Sequence, residues 1–522
     1  MPDPALTGAV ATPHATATRS AERAFERGGN AIDAALAAAA TLSVVYPHNV
    51  SIGGDLIALV RDPEGAVRCL NASGPAAHAV DANALRAVHG DALPYRGIDT
   101  VTVPGAVRGW ERLHRLGARR PWAEVFGDAV GAAGEGVPVA RSLAAAFREE
   151  EAAIRFDPGF RDVFLPDGRL PEEGDLLVQP ALAATLDALR EDGAAALYDG
   201  RLTQAFVAGL AAAGSRISAA DLLLFHPEAV DPLETEFGGY RILTSPPNTH
   251  GFVLLRVLRE IERDGIEDPL GSGFGDVMER FLAANLVRDE QLADPRSTGG
   301  GLAALFDDAP RALDEPVSPG FRRPRGDTVG IAVSDSSGWS VSLIQSVYHA
   351  FGSAVVEPST GILLHNRGTG FSLDPESPNA LAPGKRPLHT LMPVLVTEGD
   401  DVRFVSATMG GQGQPQIHAQ VLLRAMAGAC ASDAVAAPRA IVGPQRDGDR
   451  PSDVYVEQGV SDAARAALAS TSLHIVETPD SSELVGHANL VVAAPDGRLD
   501  AGSDPRSDGA ASVRSYPGEE RR

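Results

Sequence analysis

The chain has 522 residues, 44% apolar and 22% charged, a balance that fits a globular protein with a large core and excludes a disordered or fibrous one. Its formal net charge of −24, from 45 basic and 69 acidic residues, repels phosphate backbones, so no nucleic-acid partner is expected. The two cysteines, Cys69 and Cys430, stand far apart and no His-Glu-x-x-His spacing occurs, so no disulfide framework, metal or cofactor is expected.

The first 20 residues lack the basic region and apolar core of a secretory leader. Residues 31–45 are the most apolar stretch, but they are too short for a bilayer span. A cytoplasmic location with no membrane attachment is expected. Residues 15–27 read as a helix closed by Gly28-Gly29, and Asn30 then caps a second, alanine-rich helix, with Asp33 near its positive end. Pro47 stops that helix. Residues 51–55 (Ser-Ile-Gly-Gly-Asp) form a tight turn, and strands 56–61 and 66–71 flank the turn Asp62-Pro63-Glu64-Gly65.

From 107 to about 230 the pattern is largely helical, including 142–155, 180–190 and 202–213. A short strand at 240–244 breaks at Pro246-Pro247, and a helix succeeds it over 251–263. Residues 297–325 are rich in Gly, Pro and Asp and read as a mobile approach to Thr328. Residues 325–352 are a hairpin. Val329, Ile331 and Val333 alternate with smaller residues, Asp335-Ser336-Ser337-Gly338 turns the chain, and Val341, Leu343 and Gln345 resume the period of two. Further strands are expected at 361–364, 393–397 and 402–407, with helices over 414–426 and 461–470. The polar tail from Ser503 is expected to fray. Spacing alone supports a mixed α and β fold.

Thr328 stands at the mouth of the hairpin's first strand, directly after Asp327. A chain cut in front of it would free an α-amine with a pKa near neutral, beside the residue's own Oγ. That is an activated N-terminal threonine nucleophile. An isolated Asp-Thr pair is ordinarily only a strand start, so the surroundings decide.

Those surroundings resemble the γ-glutamyltranspeptidase family of N-terminal-nucleophile hydrolases over nearly the whole chain. The resemblance rests on GAVATPHATATRSAERAFERGGNAIDAALAAAATLSVVYPHNVSIGGD near the start, then VPGAVRGW and SPPNTHG. It continues through GDTVGIAVSDSSG, FGSAVVEPSTGILLHNRGTGFS, APGKRPLHTLMPVL, ATMGGQGQPQ and GSDPRSDG. It implies a four-layer αββα sandwich and a precursor that cuts itself between Asp327 and Thr328. The products would be a 327-residue chain (1–327) and a 195-residue chain (328–522; 522 minus 327) that stay together as a heterodimer, with pairing of two heterodimers open. It further implies that Ser346 bonds the nucleophile and that Gly410-Gly411 shape an oxyanion hole. His48, Lys385 and Arg386 are expected to be structural.

Other positions depart from the family's pattern. Around Ser73, in Leu70-Asn71-Ala72-Ser73-Gly74-Pro75, the expected arginine for a donor α-carboxylate is absent, and His389-Thr390 replace a serine pair. The ammonium-binding positions align with Tyr348, Arg367 and Gly370. Arg367 repels an α-amine and attracts an anion. The expected substrate is therefore a small amide whose acyl group carries a carboxylate, rather than a γ-glutamyl donor, as in the oxamate amidohydrolase and acylase branch. His389 either donates to that carboxylate or packs beside Thr390. Two alternatives stand beside this amidohydrolase or acyltransferase. One is a relative that hydrolyses a carbon–carbon bond, removing an oxalyl-type unit in biosynthesis. The other is a non-catalytic scaffold.

Overall fold

A computed structural model describes residues 6–298, 305–306, 327–446 and 448–516. The expectation for 297–325 falls mostly outside this range. Two antiparallel sheets face each other. The first has seven strands, in the order Ala510–Tyr516, Leu6–Thr12, Asp327–Asp335, Ser340–Tyr348, Asp55–Arg61, Val67–Ala72 and Glu228–Val230. The second has six: Leu499–Ser503, His487–Ala493, Asp401–Met409, Val394–Glu398, Tyr240–Thr244 and Leu233–Phe237. Between them lies a dry layer that includes Ile57, Leu59, Ile344, Leu395 and Val405. Ser342 Oγ donates across it to the Ser406 carbonyl at 2.7 Å, and Asn489 Nδ2 to the Gly330 carbonyl at 2.9 Å.

Helices cover both outer faces, which makes the expected αββα sandwich. On the first sheet lies Ala31–Val45, buried at all fifteen positions. Its alanines let it sit close to the sheet while Ala15–Glu26 and Gly127–Glu135 pack outside it. The Asn30 side chain accepts from the N–H groups of Ile32 and Asp33, and Asp33 accepts from the Asn30 N–H at 2.8 Å, so both orphan ends are satisfied reciprocally. On the second sheet lie Phe252–Arg263, Phe274–Gln291 and Gln414–Met426. No helix of the described residues is long and apolar enough to cross a membrane.

The hairpin forms as read, Asp327–Asp335 against Ser340–Tyr348. The described part of the C-terminal tail, to Tyr516, does not fray: Ala510–Tyr516 pairs along its whole length with Leu6–Thr12 and closes one sheet edge. The helix expected over 142–155 is broken into Arg141–Glu149 and Glu151–Ile154.

Candidate active site

Four neighbouring strands bring their ends together. Asp327, at the start of its strand, pairs with Tyr348 at the end of the next. Ser346 faces Asp55 at the start of the third, and Leu56 faces Ala72, just before Ser73. Thr328 is buried. Its Oγ donates to Ser346 Oγ at 3.1 Å. Ser346 Oγ in turn donates to the Asp327 carbonyl at 2.5 Å and accepts the Tyr348 N–H at 2.7 Å. One serine hydroxyl thus touches both the expected nucleophile and the carbonyl of the peptide in front of it.

The register slips between Gln345 and Tyr348, and Tyr348 takes a φ of +81°. A bulky residue in that region is costly and persists only where its surroundings fix it. Here the bulge places the Tyr348 ring under the Arg367 guanidinium, whose carbon lies 3.3 Å from the ring centroid. Arg367 is 1% exposed. Its Nη1 donates to Thr390 Oγ at 3.2 Å, but Nε and Nη2 have no hydrogen-bond partner, and no carboxylate among the described residues lies within ion-pair distance. Burial lowers its pKa, opposed by Tyr348 and Asp55. Gly370 leaves the guanidinium its space: a Cβ there would stand 3.0 Å from Nη2.

Asp55 is the hub that the sequence did not disclose. Its carboxylate accepts the Gly74 N–H at 3.0 Å and His389 Nε2–H at 3.0 Å, and it faces His365 Nδ1 at 3.4 Å. Burial pushes its pKa up, but His365 and His389 outweigh this and hold it well below the usual carboxylate range. The Leu391 N–H donates to His389 Nδ1, so the ring proton sits on Nε2 and points at Asp55. Burial lowers the His389 pKa to about 4, against Asp55 and with the push of Arg367. Both nitrogens of His389 are therefore occupied within the protein. Gly54 is obligatory beside this hub, because a Cβ would sit 2.2 Å from the Ser346 carbonyl oxygen. The available signal is an aspartate directly after Gly-Gly at a strand start, which by itself reads only as a turn.

Ser73 is tied into a buried amide network. Its Oγ donates to Asn71 Oδ1 at 2.6 Å and accepts from Asn248 Nδ2 at 3.2 Å. Gly410 and Gly411 end the strand Asp401–Met409 with φ of +152° and +51°, a path that side chains resist, and the helix Gln414–Met426 starts just beyond. Lys385 Nζ donates to the carbonyls of Pro378 and Ala380, and Arg386 pairs with Glu228 and Asp294, so both brace the segment leading to His389.

Comparison with known proteins agrees with this architecture. The gamma-glutamyltranspeptidase family model matches residues 17–514. The chain is 36% identical to the oxamate amidohydrolase proenzyme of Klebsiella pneumoniae subsp. pneumoniae, over 97% of this chain and 98% of that one. It is 35% identical to the glutathione hydrolase-like YwrD proenzyme of Bacillus subtilis, over 96% and 97%. Among solved structures, cephalosporin acylase from Bacillus halodurans superposes with a TM-score of 0.87 at 31% identity, covering 97% of this chain and 96% of that one. Matched end to end in sequence and in fold, the chain is an enzyme that belongs to the gamma-glutamyltranspeptidase family of N-terminal-nucleophile hydrolases.

Proposed function

We propose that this enzyme is a self-processing amidohydrolase, with Thr328 as nucleophile and an acyl pocket built on Arg367. The observation that carries the chemistry is the hydroxyl bridge from Thr328 Oγ through Ser346 Oγ to the Asp327 carbonyl. In maturation, Thr328 Oγ adds to that carbonyl carbon while Ser346 donates to its oxygen. The Asp327–Thr328 C–N bond breaks, the nitrogen takes the hydroxyl proton, and water hydrolyses the resulting ester to an Asp327 carboxylate. Thr328 then carries both attacker and base. Its amine takes the Oγ proton as Oγ attacks the substrate amide and passes it to the departing nitrogen. Water resolves the acyl-enzyme. Gly410 and Gly411 supply backbone N–H groups to the oxyanion, where the loss of one donor typically costs about 10²–10³ in rate.

The substrate assignment rests on Arg367. A buried guanidinium without a counter-ion is costly unless a ligand brings one. The relative named for oxamate hydrolysis supports an acyl group that carries its own carboxylate. An α-ammonium would meet Arg367 where it needs an acid. His389 and His365 act through Asp55, which braces the strand ends. The test is a substrate panel on the mature enzyme. Turnover of oxamate or a glutaryl amide, with little of a γ-glutamyl anilide, is expected; preference for the γ-glutamyl compound would overturn the assignment.

A further inference from the structure

Three fully buried side chains around one short segment hold unused hydrogen-bonding groups. Residues 389–392 pass between Arg367, the loop 245–251 and the start of the helix Gln414–Met426. Arg367 reaches Thr390 through Nη1 and keeps Nε and Nη2 free. His250, with no exposed surface, has neither ring nitrogen bonded. Its loop is fixed against the segment, because the His389 N–H donates to the Asn248 carbonyl at 2.8 Å and Thr249 bridges His389. Gln414, equally buried, accepts the Met392 N–H at Oε1 (3.4 Å) and leaves its Nε2 amide nitrogen without a partner. Buried polar groups in native proteins are overwhelmingly paired, so three orphans on one segment point to a common ligand.

We infer that His250 and Gln414 complete an anion hole with Arg367 and Thr390, and that its ligand is the carboxylate of a short, oxalyl-type acyl group. Every free group can donate: Nε–H and Nη2–H at the edge of the guanidinium, the Gln414 amide NH₂, and one N–H of a neutral imidazole. Burial first, then the charge of Arg288, lowers the His250 pKa well below its ordinary value, against the neighbouring Thr390 backbone and with the lesser push of His389 and Arg367, so the ring brings no second positive charge and the hole suits a monoanion. Chain length is set by proximity. Arg367 lies flat on Tyr348, whose N–H bonds the same Ser346 hydroxyl that contacts Thr328. Gln414 stands three residues after Gly411. The hole is thus joined to the expected nucleophile through Tyr348 and Ser346 alone, and on that ground a two-carbon acyl unit is inferred in preference to a five-carbon one.

This inference rests on the assignment of Arg367 as the acyl-carboxylate anchor, and the experiment separates the two. Oxalate and glutarate are titrated into the mature enzyme and its variants, with thermal protection as readout and the two-chain pattern on a denaturing gel as the check on folding. Oxalate is expected to protect the wild type at least tenfold more tightly than glutarate. His250→Phe and Gln414→Met are each expected to weaken oxalate about tenfold, and His250→Asn, which keeps a donor, to recover part of it. Gln414→Glu preserves shape and supplies a carboxylate from within, so it is expected to abolish oxalate protection; it remains informative if His250→Phe fails to mature. Oxalate binding unchanged in Gln414→Glu, or tighter binding of glutarate by the wild type, overturns the inference while leaving the Arg367 assignment in place. Oxalate binding that survives Arg367→Met overturns both.

Discussion

Two of the places where the molecule buries arginines treat them differently. Near the C-terminal end, Arg439 and Arg506 are enclosed with Asp504 and Glu457. Arg439 meets Asp504 at 2.6 Å, and Arg506 meets Glu457 at 2.5 Å and Asp504 at 2.8 Å. Each charge there has an opposite at contact distance. At the other place Arg367 has a hydroxyl, an aromatic face and no carboxylate within reach among the described residues. Both sites bear the desolvation of a guanidinium, but only the first offsets it within the chain. On the proposal made above, the difference separates an ion cluster that fastens strands from a charge held ready for a ligand.

The contrast can be broken most strongly at the paired site. Arg506→Met strands Glu457 and half of Asp504 in the interior, and is expected to lower unfolding stability by about 3–5 kcal/mol in urea titration. Arg367→Met removes a charge that has no partner to strand. Its stability is expected to match or exceed the wild type's, while kcat/KM on a carboxylate-bearing amide falls about 10²–10³-fold, or about 3–4 kcal/mol. Equal destabilisation by the two substitutions would make Arg367 structural. Smaller again is Ser346→Ala, which deletes the bridge from Thr328 to the Asp327 carbonyl. Maturation tracked on a denaturing gel is expected to slow about 10–100-fold, with Ser346→Thr restoring it, since a hydrogen bond to developing charge is worth about 1.5–3 kcal/mol.

The smallest effect per group concerns the buried imidazoles. Burial lowers the pKa of His14, His389 and His487 to about 4 and of His418 to about 3. The unfolded chain binds protons at these sites near pH 6.5 and the folded one does not. Stability is therefore complete above pH 6.5 and lost progressively as pH falls toward 4, by about 1–2 kcal/mol per histidine at pH 5. Denaturant midpoints measured between pH 7 and 5 check the slope; a flat profile would contradict it.

Much of the nucleophile's setting was legible in the sequence. Alternation places the hairpin, the turn chemistry of 335–338 sets its bend, and Asn30 with Asp33 marks the start of the central helix. Ser346 is placed by the family resemblance, and the hairpin read from alternation carries it next to Thr328. The anion site was only half legible. Arg367 is found through the family resemblance, as a charge standing where relatives bind an ammonium, whereas Asp55, His365, His250 and Gln414 meet their neighbours through packing of segments as much as 334 residues apart, which no local pattern encodes. The tail misled for the same reason. Its polar residues look frayed in isolation, yet Ala510–Tyr516 finds its partner in Leu6–Thr12, and Asp504 and Arg506 just ahead of it are buried by the ion cluster.

The most direct measurement is the intact mass of each polypeptide in the purified, active enzyme, alongside Thr328→Ala. Two chains are expected, the smaller beginning at Thr328, with the variant remaining one inactive chain. A fully active protein that is uncut, or cut at another bond, would contradict the account.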